Sequence, residues 1–276
     1  MPDEKINELK EKAKELRKTA VTMIYEAQSG HPGGSLSAAD MVAALYFSEM
    51  HIDPQNPNWA DRDRFVLSKG HVCPILYSAL GILGYFPESV LHTLRQEGSM
   101  LQGHPSMVKC PGIDISTGSL GQGAACAVGM ALAGKRDGKD YRVFTMVGDG
   151  EINEGIVWEA MMCANKYKLD NYIMLFDNNG LQLDGTTDQI MPGLDMSKKA
   201  ADFGFDVYEI DGHDMAQILD TFDKIRAAKN GKPKFINAHT VKGKGVDYME
   251  NSLDWHGKAP NKEQYESAME QLERGI

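Results

Sequence analysis

Two short apolar runs each end in a polar, glycine-bearing turn, and this repeated arrangement limits the fold more than any other feature. YRVFTMV at 141–147 leads into GDGEINEG at Gly148 to Gly155, and NYIMLF at 171–176 leads into DNNG at Asp177 to Gly180. Apolar runs of this length, bounded by turn residues, predict buried parallel strands. The stretch between Asp149 and Asn179 leaves room for one helix and one strand. Asp149 and Asn179 are therefore expected at the carboxyl ends of neighbouring strands, where open α/β sheets bind ligands. Both also read as plain turn residues, because Asp-Gly and Asn-Gly are strong turn signals.

The rest of the chain follows the same alternation. Residues 4–28 predict an amphipathic helix, with Ile6, Leu9, Leu16, Ala20 and Ile24 near one face. A helix is expected over 40–49, a strand over 64–68, and then a helix carrying Ile75, Leu76, Ala79 and Leu83. Residues 98–123 are rich in Gly, Ser and Pro and predict irregular loops that end at the small-residue helix GAACAVGMALAG. Further on come a strand at 142–147, a helix at 155–167, and strands at 171–176 and 205–211. A helix at 214–229, capped by Asp214, precedes a last strand at 234–241. This order predicts an α/β fold: a doubly wound, mostly parallel sheet flanked by helices, in one domain over 1–276.

Composition removes several classes of function. The 276 residues suffice for one large α/β core. A net charge of −10 argues against a nucleic-acid-binding surface, which needs a basic face. The four cysteines form no CxxC pair and read as reduced thiols. The charged N-terminal stretch lacks the apolar centre of a signal peptide, and no apolar stretch approaches the roughly 20 residues of a membrane span. No membrane partner is expected, and the expected location is cytoplasmic.

The turn residues suggest a chemistry. An Asp carboxylate and an Asn carbonyl are hard oxygen ligands suited to Mg²⁺ or Ca²⁺. The glycines let backbone approach a ligand, and a helix opening near Glu154 offers free N–H groups to an anion. The chain has no GxxxxGK[ST] loop, so a metal-bridged diphosphate is the predicted ligand. Four of the eight histidines, His31, His71, His104 and His256, lie in Gly- or Pro-rich loops. Lone loop histidines are ordinarily surface residues, and spacing alone does not bring these four together. His51, His92, His213 and His239 read as structural. Glu151 and Glu154 begin a helix, where each would gain about 0.3–1 kcal/mol from the helix dipole. STGSLGQG at 116–123 is equally a tight-packing and capping segment, and Lys242 equally a solvated charge.

GDG followed about thirty residues later by NN resembles the thiamine diphosphate motif. Together with SGHPGG at 29–34, SKGH at 68–71, GHP at 103–105, STGSLGQG, KGKG at 242–245 and WHG at 255–257, the chain resembles the N-terminal, diphosphate-binding region of transketolase along nearly its whole length. The resemblance implies a thiamine diphosphate-binding fold. It implies that Asp149, the Asn179 side chain and the Leu181 carbonyl bind the metal, and that Gly150 and Asn179 contact the diphosphate, with Asn178 the less apt of the two asparagines. His71, His256 and Lys242 are implied near the diphosphate, His256 also near the donor sugar, and His31 and His104 along the substrate channel. Gly118, Ser119 and Leu120 would meet the aminopyrimidine side. Glu154 would lie at a subunit interface, in a carboxylate network reaching the cofactor's activating glutamate, while Glu151 keeps the dipole role. Where some family members carry a cofactor-contacting Ser after SGHP, this chain has Gly34.

The implied activity is two-carbon ketol transfer from a ketose phosphate to an aldose phosphate, dependent on thiamine diphosphate and a divalent metal. The chain stops about twenty residues after WHG, where the family's first domain closes, and 258–276 reads as a terminal helix. The expectation is a split enzyme. A C-terminal transketolase subunit would supply the pyrimidine-binding half, in an assembly such as a heterotetramer. The alternatives are a truncated chain, a component of another thiamine diphosphate enzyme such as deoxyxylulose-phosphate synthase or an unusual-sugar transketolase, and a non-catalytic cofactor-binding subunit.

Overall fold

The computed structural model describes residues 3–192 and 195–275. Helix α1 (Asp3–Ala27) is followed by the short α2 (Pro32–Ser37) and α3 (Ala39–Ala44), then by strand β1 (Arg64–Leu67) and α4 (Cys73–Ile82). Beyond a long irregular stretch come α5 (Gln122–Arg136), β2 (Val143–Gly148), α6 (Gly155–Lys166) and β3 (Tyr172–Asn178). The remaining elements are α7 (Thr187–Ile190), α8 (Met196–Asp202), β4 (Asp206–Asp211), α9 (Met215–Ala227), β5 (Lys234–His239) and α10 (Lys262–Arg274).

The strands form one parallel sheet in the order β1-β2-β3-β5-β4. Successive strand residues point to opposite faces, and the burial follows that rule. Phe65, Leu67, Phe144, Met146, Ile173, Leu175, Ile236 and Ala238 pack into one core with α1, α3, α4 and α9. Val66, Val143, Val147, Tyr172, Met174, Phe176 and Phe235 pack into the other with α5, α6 and α8. The sheet is thus covered on both sides, as the near-continuous apolar runs require. A third cluster, including Val21, Leu36, Trp255, Ala268 and Leu272, seats α10 against α1 and the segment after β5.

Three local differences from the sequence reading have physical causes. The helix expected over 40–49 changes at Leu45 into a π-helical turn, Leu45–Glu49. The Pro-Gly-Gly segment forms α2, with Pro32 at its first turn, because proline's fixed φ suits that position and its missing N–H costs nothing there. Strand β3 runs on through Asp177 and Asn178, because β5 continues the ladder through Asp177↔Ala238 and Asn178↔His239.

One buried ion pair binds the helical layer to the loop after β5. The Arg17 guanidinium of α1 pairs with Asp40 of α3, and both are buried. His213 donates from Nδ1 to Asp40 Oδ2 at 2.8 Å, and its Nε2 accepts the Val241 N–H at 2.8 Å. His213 is therefore structural, as its sequence context suggested. Burial works against the Asp40 carboxylate, but Arg17 and His213 outweigh it and hold its pKa down to about 2. That stabilisation is full above the ordinary carboxylate range and is lost as pH falls toward about 2. Asp40→Ala leaves Arg17 buried and unpaired. It is expected to lower the unfolding free energy at neutral pH by about 3–5 kcal/mol in urea titrations, with a smaller difference from wild type as the pH is lowered through the acid range.

Candidate active site

Asp149 follows β2 and Asn179 follows β3, which are adjacent parallel strands, so both lie at the carboxyl edge of the sheet. The Asp149 carboxylate accepts the backbone N–H groups of Asn179 at 2.9 Å and Gly180 at 3.2 Å. The first turn thus clamps the second. The Asn179 side-chain oxygen accepts the Leu181 N–H at 3.3 Å. Asn178 instead turns toward the sheet and donates to Asn237 Oδ1 at 3.0 Å. This separates the two asparagines by role: one braces the sheet and the other faces the opening.

These turns form one wall of a cavity of about 280 Å³. His31, His71, Gly118, Leu120, Asp149, Gly150, Asn179, Leu181, Lys242 and His256 all line it. The rings of His31, His71 and His256 lie 5.1–5.5 Å apart, centroid to centroid. Lys242 Nζ approaches His256 Nδ1 at 3.1 Å. Gly33 makes this possible, because a side chain there would strike the Trp255 carbonyl at 2.9 Å and the Lys242 stem at 3.0 Å. Gly34 also lines the cavity, and a Cβ there would meet Val72 at 2.6 Å, so a serine has no room without movement.

Three expected site residues stand apart from the cavity wall. His104 packs behind Gly118, where an added Cβ would lie 2.8 Å from its ring. Ser119 and Glu154 are exposed. The helix-dipole reading of Glu151 is corrected. A 3₁₀ turn, Glu151–Asn153, separates GDG from α6, and Glu154 rather than Glu151 is the N-cap. The Glu151 carboxylate is buried and accepts from Ser68 Oγ at 2.5 Å, Gly121 N at 2.8 Å and Gly148 N at 3.3 Å. Ser68 Oγ in turn accepts the Ala124 N–H at 3.0 Å. Glu151 thereby joins the end of β1, the start of α5 and the GDG turn.

Sequence reasoning also missed a deeper support. Lys69 and Asp177, both buried, form an ion pair whose lysine lines the cavity. Asp177 also accepts from Ser37 Oγ at 2.6 Å and from Thr240 Oγ1. Burial opposes the carboxylate, but Lys69 and the two hydroxyls prevail and keep its pKa below the usual range. Both residues sat inside recognised motifs, SKGH and DNNG. A lysine directly after a strand was the available signal, but its burial depends on distant partners.

The electrostatics suit a cation and an anion side by side. Burial pushes Asp149 up to about 7, against the donated N–H groups. Such a carboxylate gains from a bound divalent cation. Burial lowers Lys242 to about 8 and His256 to about 4, and lowers His31 to about 4 with help from His256 and Arg95. His71 is driven well below the ordinary imidazole value, first by burial. His31 Nδ1 is buried without a partner. Lys242 and the N–H groups of the neutral imidazoles are donors suited to an anion such as a diphosphate. No group of three or more His, Cys, Asp or Glu side chains gathers as a metal site among the described residues. The oxygen set of Asp149, Asn179 and the Leu181 carbonyl fits a hard cation instead.

Glu151→Ala should leave the Gly121 N–H and Ser68 hydroxyl unsatisfied and destabilise the chain by about 1–3 kcal/mol per stranded group in denaturant melts. In the same chain Glu154→Ala, at an exposed position, should stay within about 0.5 kcal/mol of wild type.

Comparison with known proteins agrees with this geometry. The family described as "Transketolase, thiamine diphosphate binding domain" matches residues 9–273. An apulose-4-phosphate transketolase subunit from Phocaeicola vulgatus is 44% identical over 260 residues, covering 94% of this chain and 92% of that protein. The 6-deoxy-6-sulfo-D-fructose transketolase subunit SqwG of a Clostridium species is 44% identical, covering 97% of each. The solved transketolase of Campylobacter jejuni superposes with a TM-score of 0.91 at 36% identity, covering 96% of this chain. The chain spans 42% of that longer protein. The Leishmania mexicana transketolase gives a TM-score of 0.92 at 32% identity, and the chain spans 41% of it. The chain belongs to the transketolase family and comprises its thiamine diphosphate-binding domain.

Proposed function

We propose that this chain is the cofactor-binding subunit of a two-chain transketolase, moving a two-carbon ketol unit between sugar phosphates. The observation that carries the reading is the pair Asp149 and Asn179 on adjacent strand ends, facing the His31, His71, His256 and Lys242 wall. When bound, thiamine diphosphate supplies a carbon nucleophile and an electron sink for carbon–carbon cleavage. Asp149, Asn179 and the Leu181 carbonyl would hold Mg²⁺ or Ca²⁺ against the diphosphate. Lys242, His71 and His256 would donate hydrogen bonds to it, with Gly150 letting backbone come close. Gly118, Ser119 and Leu120 would border the aminopyrimidine. His31 and His104 would orient the sugar and exchange protons with its hydroxyls, as would His256 on the donor side.

The partner would be a C-terminal transketolase subunit with the pyrimidine-binding half, giving a heterotetramer. Relatives that match this chain over nearly their whole length are named as subunits, which supports this division. Glu154, exposed in the chain alone, would face that partner or a second copy. A single diphosphate-binding domain over 1–276 belongs to the same proposal, as does a cytoplasmic location. No helix among the described residues is long and apolar enough to cross a membrane.

The relatives named for apulose-4-phosphate and 6-deoxy-6-sulfofructose favour a second reading of the substrate. On that reading the donor is a branched or sulfonated sugar rather than a pentose-phosphate-pathway ketose. A donor panel given to the reconstituted pair decides between them by kcat/KM.

Two outcomes test the site. Calorimetry should show thiamine diphosphate binding only with a divalent cation. Asp149→Ala and Asn179→Ala should abolish it, while Asn178→Ala retains it; tight metal-free binding would contradict the site. In the reconstituted enzyme, His31→Ala and His104→Ala should each lower kcat by about 10²–10⁴-fold. Unchanged rates would favour a non-catalytic binding role.

A further inference from the structure

Arg95 stands near the site with a charge that, among the described residues, no carboxylate neutralises. Its backbone has φ +60, and its N–H donates to the Leu101 carbonyl at 2.8 Å, closing the loop that leads to His104. Nη1 donates to Ser29 Oγ at 2.7 Å, two residues before His31. Nη2 donates to the Gly103 carbonyl at 3.3 Å, one residue before His104. Gly103 gives the guanidinium its place, since a Cβ there would lie 3.1 Å from Nε. Nε itself is buried with no hydrogen-bond partner, and among the described residues no carboxylate pairs with this arginine. Arg95 and His104 share the wall of a second cavity of about 520 Å³, with Glu97 and Lys109 on its rim. His104 separates that cavity from Gly118 and the cofactor cavity.

We propose that Arg95 is a positioning residue: it ties the Ser29–His31 segment to the Gly103–His104 segment and presents an unneutralised guanidinium to both imidazoles. The consequence is chemical as well as mechanical. Burial first, and then the Arg95 charge, disfavour the imidazolium form of His104. His31 is held low by burial, then by His256, Arg95, His104 and Lys242. Two rings kept neutral at physiological pH can each accept a hydrogen bond from a sugar hydroxyl. That use of the rings rests on the proposed transketolase reading, whereas their protonation does not.

Histidine-resolved NMR titration of the full chain, without cofactor or partner, tests the proposal. In the wild type, His31 and His104 should titrate below the ordinary imidazole value of about 6.5; ordinary midpoints would overturn it. Arg95→Gln should raise the His104 midpoint by about 0.5–1 unit, a gain of about 3- to 10-fold in proton affinity. His31 should move the same way, and Arg95→Lys should keep both low. A folded Arg95→Gln chain with unmoved midpoints would overturn the proposal. Should that variant fail to fold, salt provides the same test on the wild type. Going from about 0.01 to about 1 M salt shrinks the Debye length from about 30 to about 3 Å. Screening of Arg95 raises the midpoint of the partly covered His104 ring, whereas screening of a chain of net charge −10 lowers it. A rising midpoint supports Arg95, and a falling or constant one overturns it. Because no turnover is measured, failure here leaves the transketolase reading standing, and failure of ketol transfer leaves the titration unaffected.

Discussion

The buried Asp177 carboxylate is the contact on which the rest of the site depends. It sits at the end of β3 and takes hydrogen bonds from Ser37 of α2, Lys69 after β1 and Thr240 after β5. Three separate segments therefore converge on the two oxygens of a fourth. A buried charge is costly unless paired and hydrogen-bonded, and removing one partner leaves the others stranded. The arrangement fixes where the SGHPGG, SKGH, DNNG and KGKG segments meet, and so where His31, His71, Asn179 and Lys242 can stand.

A second layer of buried carboxylates sits beside it. Asp149 clamps the DNNG turn through backbone N–H groups, and Glu151 joins the GDG turn to the start of α5. Both lose solvation on burial and are pushed up to about 7. Both line the cavity, but Asp149 stands beside Asn179 and Leu181, whose oxygens suit a cation. Glu151 spends its lone pairs on Ser68 and two backbone amides, which makes it a brace. Opposite these carboxylates lie Lys242 and the crowded histidines, whose protonated forms burial disfavours. A carboxylate and a lysine thus share one cavity with neutral imidazoles that offer N–H donors, the pattern a metal–diphosphate pair would complete.

Much of this was legible in the residues. The strands after which Asp149 and Asn179 stand, the α5 and α6 helices and the irregular stretch over 98–121 followed from local pattern. The preference for Asn179 over Asn178 came from the family motif and agrees with the turn of Asn178 toward Asn237. The convergence of the histidines came from the resemblance alone. A Gly- or Pro-rich context marks His31, His71, His104 and His256 off from the other four histidines, but no local pattern brings them together. His213 holds its structural place through Asp40 and Val241, partners that lie far away in the chain.

The sequence by itself determined the alternation of strand and helix, the parallel sheet and the turn residues at its carboxyl edge. Those features rest on local periodicity and on which residues tolerate a turn. Only the tertiary structure decided which carboxylate is buried, Glu151 rather than Glu154, and that Lys69 pairs with Asp177 at the cavity wall. It alone placed the Arg95 guanidinium between two loops, with no carboxylate partner among the described residues. Burial and ion pairing are set by residues many positions apart, and no local pattern carries that information.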